Sequence, residues 1–235
     1  MIIIALDVDS RDKALELVED LKGEVSYFKV GMQLFNSQGP QIISQIKEKG
    51  VKVFLDLKFH DIPNTVAAAS AVAVAQGADM FNLHASGGKA MLQSAVESAK
   101  ERAIKLNLKE TPRVLGVTVL TSQSQEVLSR ELGVNKSLDQ QVSDLAVLCR
   151  EAGLRGVVAS PREISIIRKS CGPDFLIVTP GVRPSWASRD DQERVHTPAR
   201  ALASGSDYLV IGRPVTAAPD PREALNKILS ECSSC

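Results

Sequence analysis

Eight short apolar runs, each followed by residues with helical spacing, constrain this 235-residue chain more than any other feature. The runs occupy residues 2–8, 25–32, 51–58, 80–85, 113–120, 153–160, 174–181 and 207–213. Between them, residues 11–21, 41–48, 65–76, 89–106, 138–151 and 197–203 repeat apolar side chains at helical intervals. Strands without a polar face suit a parallel sheet covered on both sides, and eight β/α units in roughly 250 residues close into a (β/α)8 barrel. An open doubly wound sheet would want GxGxxG after its first strand, whereas Asp7 and Asp9 stand there instead. Gly50, Gly77, Gly153 and Gly205 fall shortly before strands, where a helix ends on a left-handed residue. With no linker or low-complexity tract, residues 1–235 read as one α/β barrel domain, 222–235 forming a C-terminal helix and tail.

Charge excludes several partners. Lysine plus arginine equals aspartate plus glutamate at 28 each, so no net field draws nucleic acid or an anionic membrane. Aromatic residues, at 4%, offer no stacking platform for bases. No apolar run spans a bilayer, and the opening MIIIALDVDS lacks a signal peptide's basic start and cleavage site. Cysteines 149, 171, 232 and 235 are too few and too scattered to staple the chain, which points to a reducing cytoplasm. The terminal Cys232/Cys235 pair has no neighbouring ligand set and reads as a frayed tail.

Barrel chemistry belongs at the C-terminal ends of the strands, and reactive side chains collect there. Asp7, Lys29, Asp56 with Lys58, His84, Thr121 with Ser122, Ser160, Gly181 and Arg213 all fall at or just past strand ends. The sharpest segment is DLKFHDIPNT, residues 56–65. Strand alternation puts Asp56 and Lys58 on one face and Leu55 and Leu57 on the other, so the charged pair faces the barrel mouth. Buried charges need partners, so Asp56, Lys58 and Lys29 should form an ion network. A merely stabilising salt bridge is the plainer account, but buried ion pairs are weak stabilisers. Asp61 follows on a loop that Pro63 keeps from continuing as helix, with Thr65 placed to begin the next helix. His60 reads as support for this cluster, and His60, His84 and His196 lack metal-ligand spacing.

A second constellation is TPGVRP (179–184) with VIGRPV (210–215), where barrels often bind phosphate. Gly181 and Gly212 permit close backbone approach, and Arg213 offers a fork matched to phosphate oxygens. Residues 185–197, polar and long, read as a lid or equally as a solvated loop.

Together ALDVDS, FKVGMQLF, DLKFHDIPNTV, GVTVLTS, TPGVRP, DDQ and VIGRPVT resemble the bacterial type of the orotidine 5′-monophosphate decarboxylase family, from Ile4 to Pro221. The resemblance implies a homodimeric (β/α)8 barrel. It would convert orotidine 5′-monophosphate to uridine 5′-monophosphate and CO2 without metal or organic cofactor. It implies Lys58 as proton donor within a network of Lys29, Asp56, Lys58 and Asp61, with Asp61 and Thr65 entering from the partner subunit. Asp7 and Lys29 would hold ribose hydroxyls, and Thr121 and Ser122 the pyrimidine. Pro180, Arg183, Gln192, Gly212 and Arg213 would line or hold the phosphate end. The alternatives are a metal-dependent phosphate-sugar lyase or aldolase of the same superfamily, and a non-catalytic phosphate-binding barrel.

Overall fold

Eight parallel strands close into a barrel in the order β1 to β8, each hydrogen-bonded to the next and β8 to β1. The computed structural model describes residues 1–184, 186 and 196–233. The strands are β1 (Ile2–Ala5), β2 (Tyr27–Gly31), β3 (Lys52–Phe59), β4 (Met80–His84), β5 (Arg113–Val117), β6 (Gly156–Val158), β7 (Leu176–Thr179) and β8 (Tyr208–Ile211). Around them lie α1 (Arg11–Leu21), α2 (Met32–Gln38), α3 (Gln41–Lys47), α4 (Pro63–Ala75), α5 (Gly88–Lys105), α6 (Leu138–Glu151), α7 (Ile164–Cys171), α8 (Pro198–Ala203), α9 (Arg213–Thr216) and α10 (Pro221–Ser233).

Side-chain alternation divides the apolar residues into two cores. Ile3, Ala5, Tyr27, Phe54, Met80, Leu115, Val178, Tyr208 and Val210 pack inside the barrel. Ile2, Ile4, Phe28, Val53, Leu55, Phe81 and Ile177 point outward into the larger core beneath the helices. Burying a large side chain such as Phe28 or Phe81 contributes about 1.5–3 kcal/mol. The continuous apolar runs are therefore strands covered on both faces. Gly50, Gly77, Gly153 and Gly205 all adopt positive φ, ending the preceding helices as the sequence pattern predicts.

Some boundaries differ from the sequence expectation. Helix α4 begins at Pro63, two residues before Thr65, because proline at the first helical position loses no intrahelical hydrogen bond. Helices α2, α7 and α9 lack an expected segment of their own; α2 starts at Met32, inside the run read as the second strand. Cys232 lies within α10, packed against the core, so it is not part of a frayed tail. Cys235 falls outside the described residues.

Candidate active site

The C-terminal mouth of the barrel opens into a cavity of about 640 Å³. Charged groups from three adjacent strands line one side of it. Lys29 on β2 is buried, and its Nζ stands 2.8 Å from Oδ1 of Asp7, just past β1, and 3.3 Å from Oδ2 of Asp56 on β3. Lys58 Nζ donates to the other oxygen of Asp56 at 2.6 Å. Carboxylate and ammonium thus alternate in the order Asp7, Lys29, Asp56, Lys58. Burial alone would push the Asp56 carboxyl up, but the charges of Lys29 and Lys58, with hydrogen bonds from Lys58 and Asn82, outweigh it and hold it below the usual carboxylate range.

Simple alternation does not account for where Lys58 sits. Leu55 pairs with Phe81, but Phe59 pairs with Leu83, so β3 advances four residues (55 to 59) while β4 advances two (81 to 83). This bulge puts Lys58 at φ 53°, a left-handed conformation that side-chain-bearing residues rarely adopt. Leu55 and Leu57 still point to the outer core. Gly31 is a further requirement, since a Cβ there would lie 2.9 Å from Lys29 Nζ and 3.1 Å from Asp7 Oδ1.

Pro180, Gly181, Val182 and Arg183 past β7, with Gly212, Arg213 and Pro214 past β8, line the cavity beside β1. Gly181 has φ 77°, so its glycine is a conformational need. Thr121 lines the cavity, as do the apolar groups Val117, Val119, Leu120 and Val158.

Several expected residues lie elsewhere. Ser122 is exposed and outside the cavity lining, as are Asp61 and Thr65. The Asp61 carboxylate accepts from the N–H of Ile62 at 2.7 Å, and among the described residues it forms no ion pair with either lysine. Ser160 caps the turn Pro161–Glu163, its backbone N–H donating to Glu163. Gln192 and most of the expected lid fall outside the described residues. The rings of His60 and His84 meet at a tilt of 43° with centroids 5.5 Å apart, and His84 is pushed down by burial and by the charges of His60 and Lys58. Among the described residues, no group of three or more His, Cys, Asp or Glu side chains could hold a metal ion.

The model of the orotidine 5′-phosphate decarboxylase / HUMPS family matches residues 1–228. The chain belongs to that family. Among its relatives, the orotidine 5′-phosphate decarboxylase of Moorella thermoacetica is 54% identical over 230 residues, covering 98% of this chain and 91% of the relative. That of Syntrophomonas wolfei is 54% identical over 231 residues, covering 98% and 96%. The crystal structure of the orotidine 5′-phosphate decarboxylase from Lactobacillus acidophilus superimposes with a TM-score of 0.86 at 36% identity, over 98% of both chains.

Proposed function

We propose that this protein decarboxylates orotidine 5′-monophosphate to uridine 5′-monophosphate, with the whole chain acting as one catalytic domain. One observation carries the reading: the alternating chain Asp7, Lys29, Asp56, Lys58 lines the same cavity as Gly181, Gly212 and Arg213. An ammonium and a phosphate-binding wall are thereby available to the two ends of one nucleotide. The metal-dependent lyase or aldolase alternative is disfavoured, since relatives 54% identical over nearly the whole chain bear the decarboxylase name.

In the reaction, the bond between the ring carbon and the carboxylate carbon breaks, CO2 departs, and the electron pair stays on the ring carbon. The Lys58 ammonium stabilises that charge and gives up a proton to it; the resulting amine is reprotonated from water. Asp56 aims Lys58 and, being ionised, opposes the substrate carboxylate: two carboxylates about 4 Å apart repel by on the order of 4 kcal/mol at an effective dielectric of 20. That repulsion vanishes as CO2 leaves. Asp7 and Lys29 would hold the ribose hydroxyls and Thr121 the pyrimidine, joined by Ser122 once the loop past β5 folds over the ring. Arg213, Arg183, Pro180, Gly212 and Gln192 would meet the phosphate, whose binding energy positions the ring.

Asp61 and Thr65 would complete the neighbouring site of a two-fold dimer. Residues 61–65 are exposed throughout, Ile62 among them at 66%, which leaves this loop open to a second copy of the chain. The buried thiols of Cys149 and Cys171 suit a reducing cytoplasm. The test is an ultraviolet assay of purified protein with orotidine 5′-monophosphate. Loss of the substrate's absorbance with formation of uridine 5′-monophosphate is expected, and an unchanged spectrum overturns the reading.

A further inference from the structure

Asn82 on β4 is completely buried and points into the barrel, yet it does not line the cavity. Its inward neighbours Met80 and Leu115 are apolar, the kind of residue that fills barrel interiors. A buried amide there is costly unless both ends are paired, and both are. Its Oδ1 accepts from the backbone N–H of Lys58 at 2.9 Å, and its Nδ2 donates to Asp56 Oδ1 at 2.7 Å. The first contact replaces a ladder hydrogen bond that the β3 bulge has removed, at the residue held at φ 53°. The second falls on the oxygen that also accepts from Lys58 Nζ. One side chain therefore holds the strained backbone of the proton donor and the carboxylate that aims it.

We infer that Asn82 is a positioning residue for the reaction, fixing the direction of the Lys58 ammonium by clamping the β3 bulge and Asp56 together. The inference rests on the decarboxylase reading for the identity of the reaction, but its geometry does not. A filler role for Asn82 would ask only for volume; this placement asks for an acceptor at one end and a donor at the other.

Two variants separate these roles. Asn82→Ala removes both contacts. Asn82→Asp keeps the shape and the acceptor for Lys58 N–H but sets a carboxylate oxygen against Asp56. The groups facing Asp56 are Lys29 from β2, Asp7 beyond Lys29, Lys58 from its own strand and His84 from β4. Losing the Asn82 donor raises the pH at which Asp56 takes up a proton, and a second carboxylate raises it further. With wild type first shown to decarboxylate orotidine 5′-monophosphate, both variants should bind uridine 5′-monophosphate within about threefold of wild type, a shift worth well under the tenfold of 1.4 kcal/mol. Asn82→Ala should lose about 10- to 100-fold in kcat, the usual consequence of a small misplacement. The acid limb of the kcat profile should move to higher pH in both, further in Asn82→Asp. Inactive wild type would overturn the decarboxylase reading itself. Active wild type with an unmoved acid limb in the variants, or with nucleotide affinity lost in step with kcat, would overturn the role of Asn82 alone. If Asn82→Ala does not fold, the isosteric Asn82→Asp decides by the same limb.

Discussion

Lys58 reaches back along its own strand to Asp56, its Nζ 2.6 Å from Oδ1, while Lys29 approaches the second oxygen of the same carboxylate at 3.3 Å. One ionised carboxylate therefore separates two ammonium groups that would otherwise repel, and it gives each a fixed direction. Neither lysine is free to wander with its rotamers, so in the proposed reaction Lys58 is aimed before a substrate arrives, which is what preorganised electrostatic catalysis requires.

Removing that acid should separate chemistry from binding. Lys58→Ala is expected to lower kcat by about 10²–10⁴-fold, the worth of a positioned general acid, with affinity for uridine 5′-monophosphate retained. Steady-state kinetics with a product-binding titration reads both quantities. A Lys58→Ala enzyme with near-normal kcat would remove Lys58 from the proton-transfer step.

Arg213 should show the opposite division. It stands at the start of α9 and lines the cavity wall assigned to phosphate. Arg213→Ala should weaken uridine 5′-monophosphate binding by about 10- to 100-fold, matching the loss of a charge-assisted hydrogen bond, and leave affinity for uridine unchanged. Equal losses for nucleotide and nucleoside would displace the phosphate site from this wall.

Away from the cavity, Glu163 supplies a pH dependence of stability. Burial pushes its carboxyl up from 4.5 to about 7, against the lowering effect of the Ser160 N–H. Between those values the folded chain holds a proton that the unfolded chain releases. The stabilisation is complete below about pH 4.5 and is lost as pH rises through about 7. Glu163→Gln keeps an acceptor for Ser160 N–H without the ionisation. It should exceed wild type at pH 8 by on the order of 2 kcal/mol and converge with it near pH 4.5. Denaturation midpoints of the two proteins that run parallel from pH 4.5 to 8 would contradict this.

The barrel was legible because its strands are buried on both faces, so each is an uninterrupted apolar run that marks itself. The ion network was legible for a related reason: Lys29, Asp56 and Lys58 are charges inside such runs, where charges do not belong without partners. The β3 bulge left no trace in the pattern, because Leu55 and Leu57 keep the alternation while the backbone departs from it at Lys58. Asn82 too is a polar residue in an apolar strand, and its discordance within MFNLHA is the sequence signal it carries. Gly31 has none, since its requirement comes from the Lys29 amine in space. Helix α2 is masked because its first residue, Met32, continues the apolar run of β2, and α9, at four residues, is too short to show a period.

Asp61 is where the single chain and the proposed reaction part, since its carboxylate turns to the N–H of Ile62 and lies outside the cavity lining. If it serves the partner's site across a two-fold axis, two inactive chains can repair each other. Mixing Lys58→Ala with Asp61→Ala places both lesions in one site of a mixed dimer. The other site combines an intact Lys58 from one chain with an intact Asp61 from its partner. With random assortment half the dimers are mixed and half of their sites are intact, so activity should return to roughly a quarter of wild type. The measurement is co-refolding at equal amounts, native mass spectrometry to confirm mixed dimers, and the decarboxylation assay. Mixed dimers no more active than their parents would assign Asp61 to its own subunit and leave the exposed run from 61 to 65 without a catalytic role.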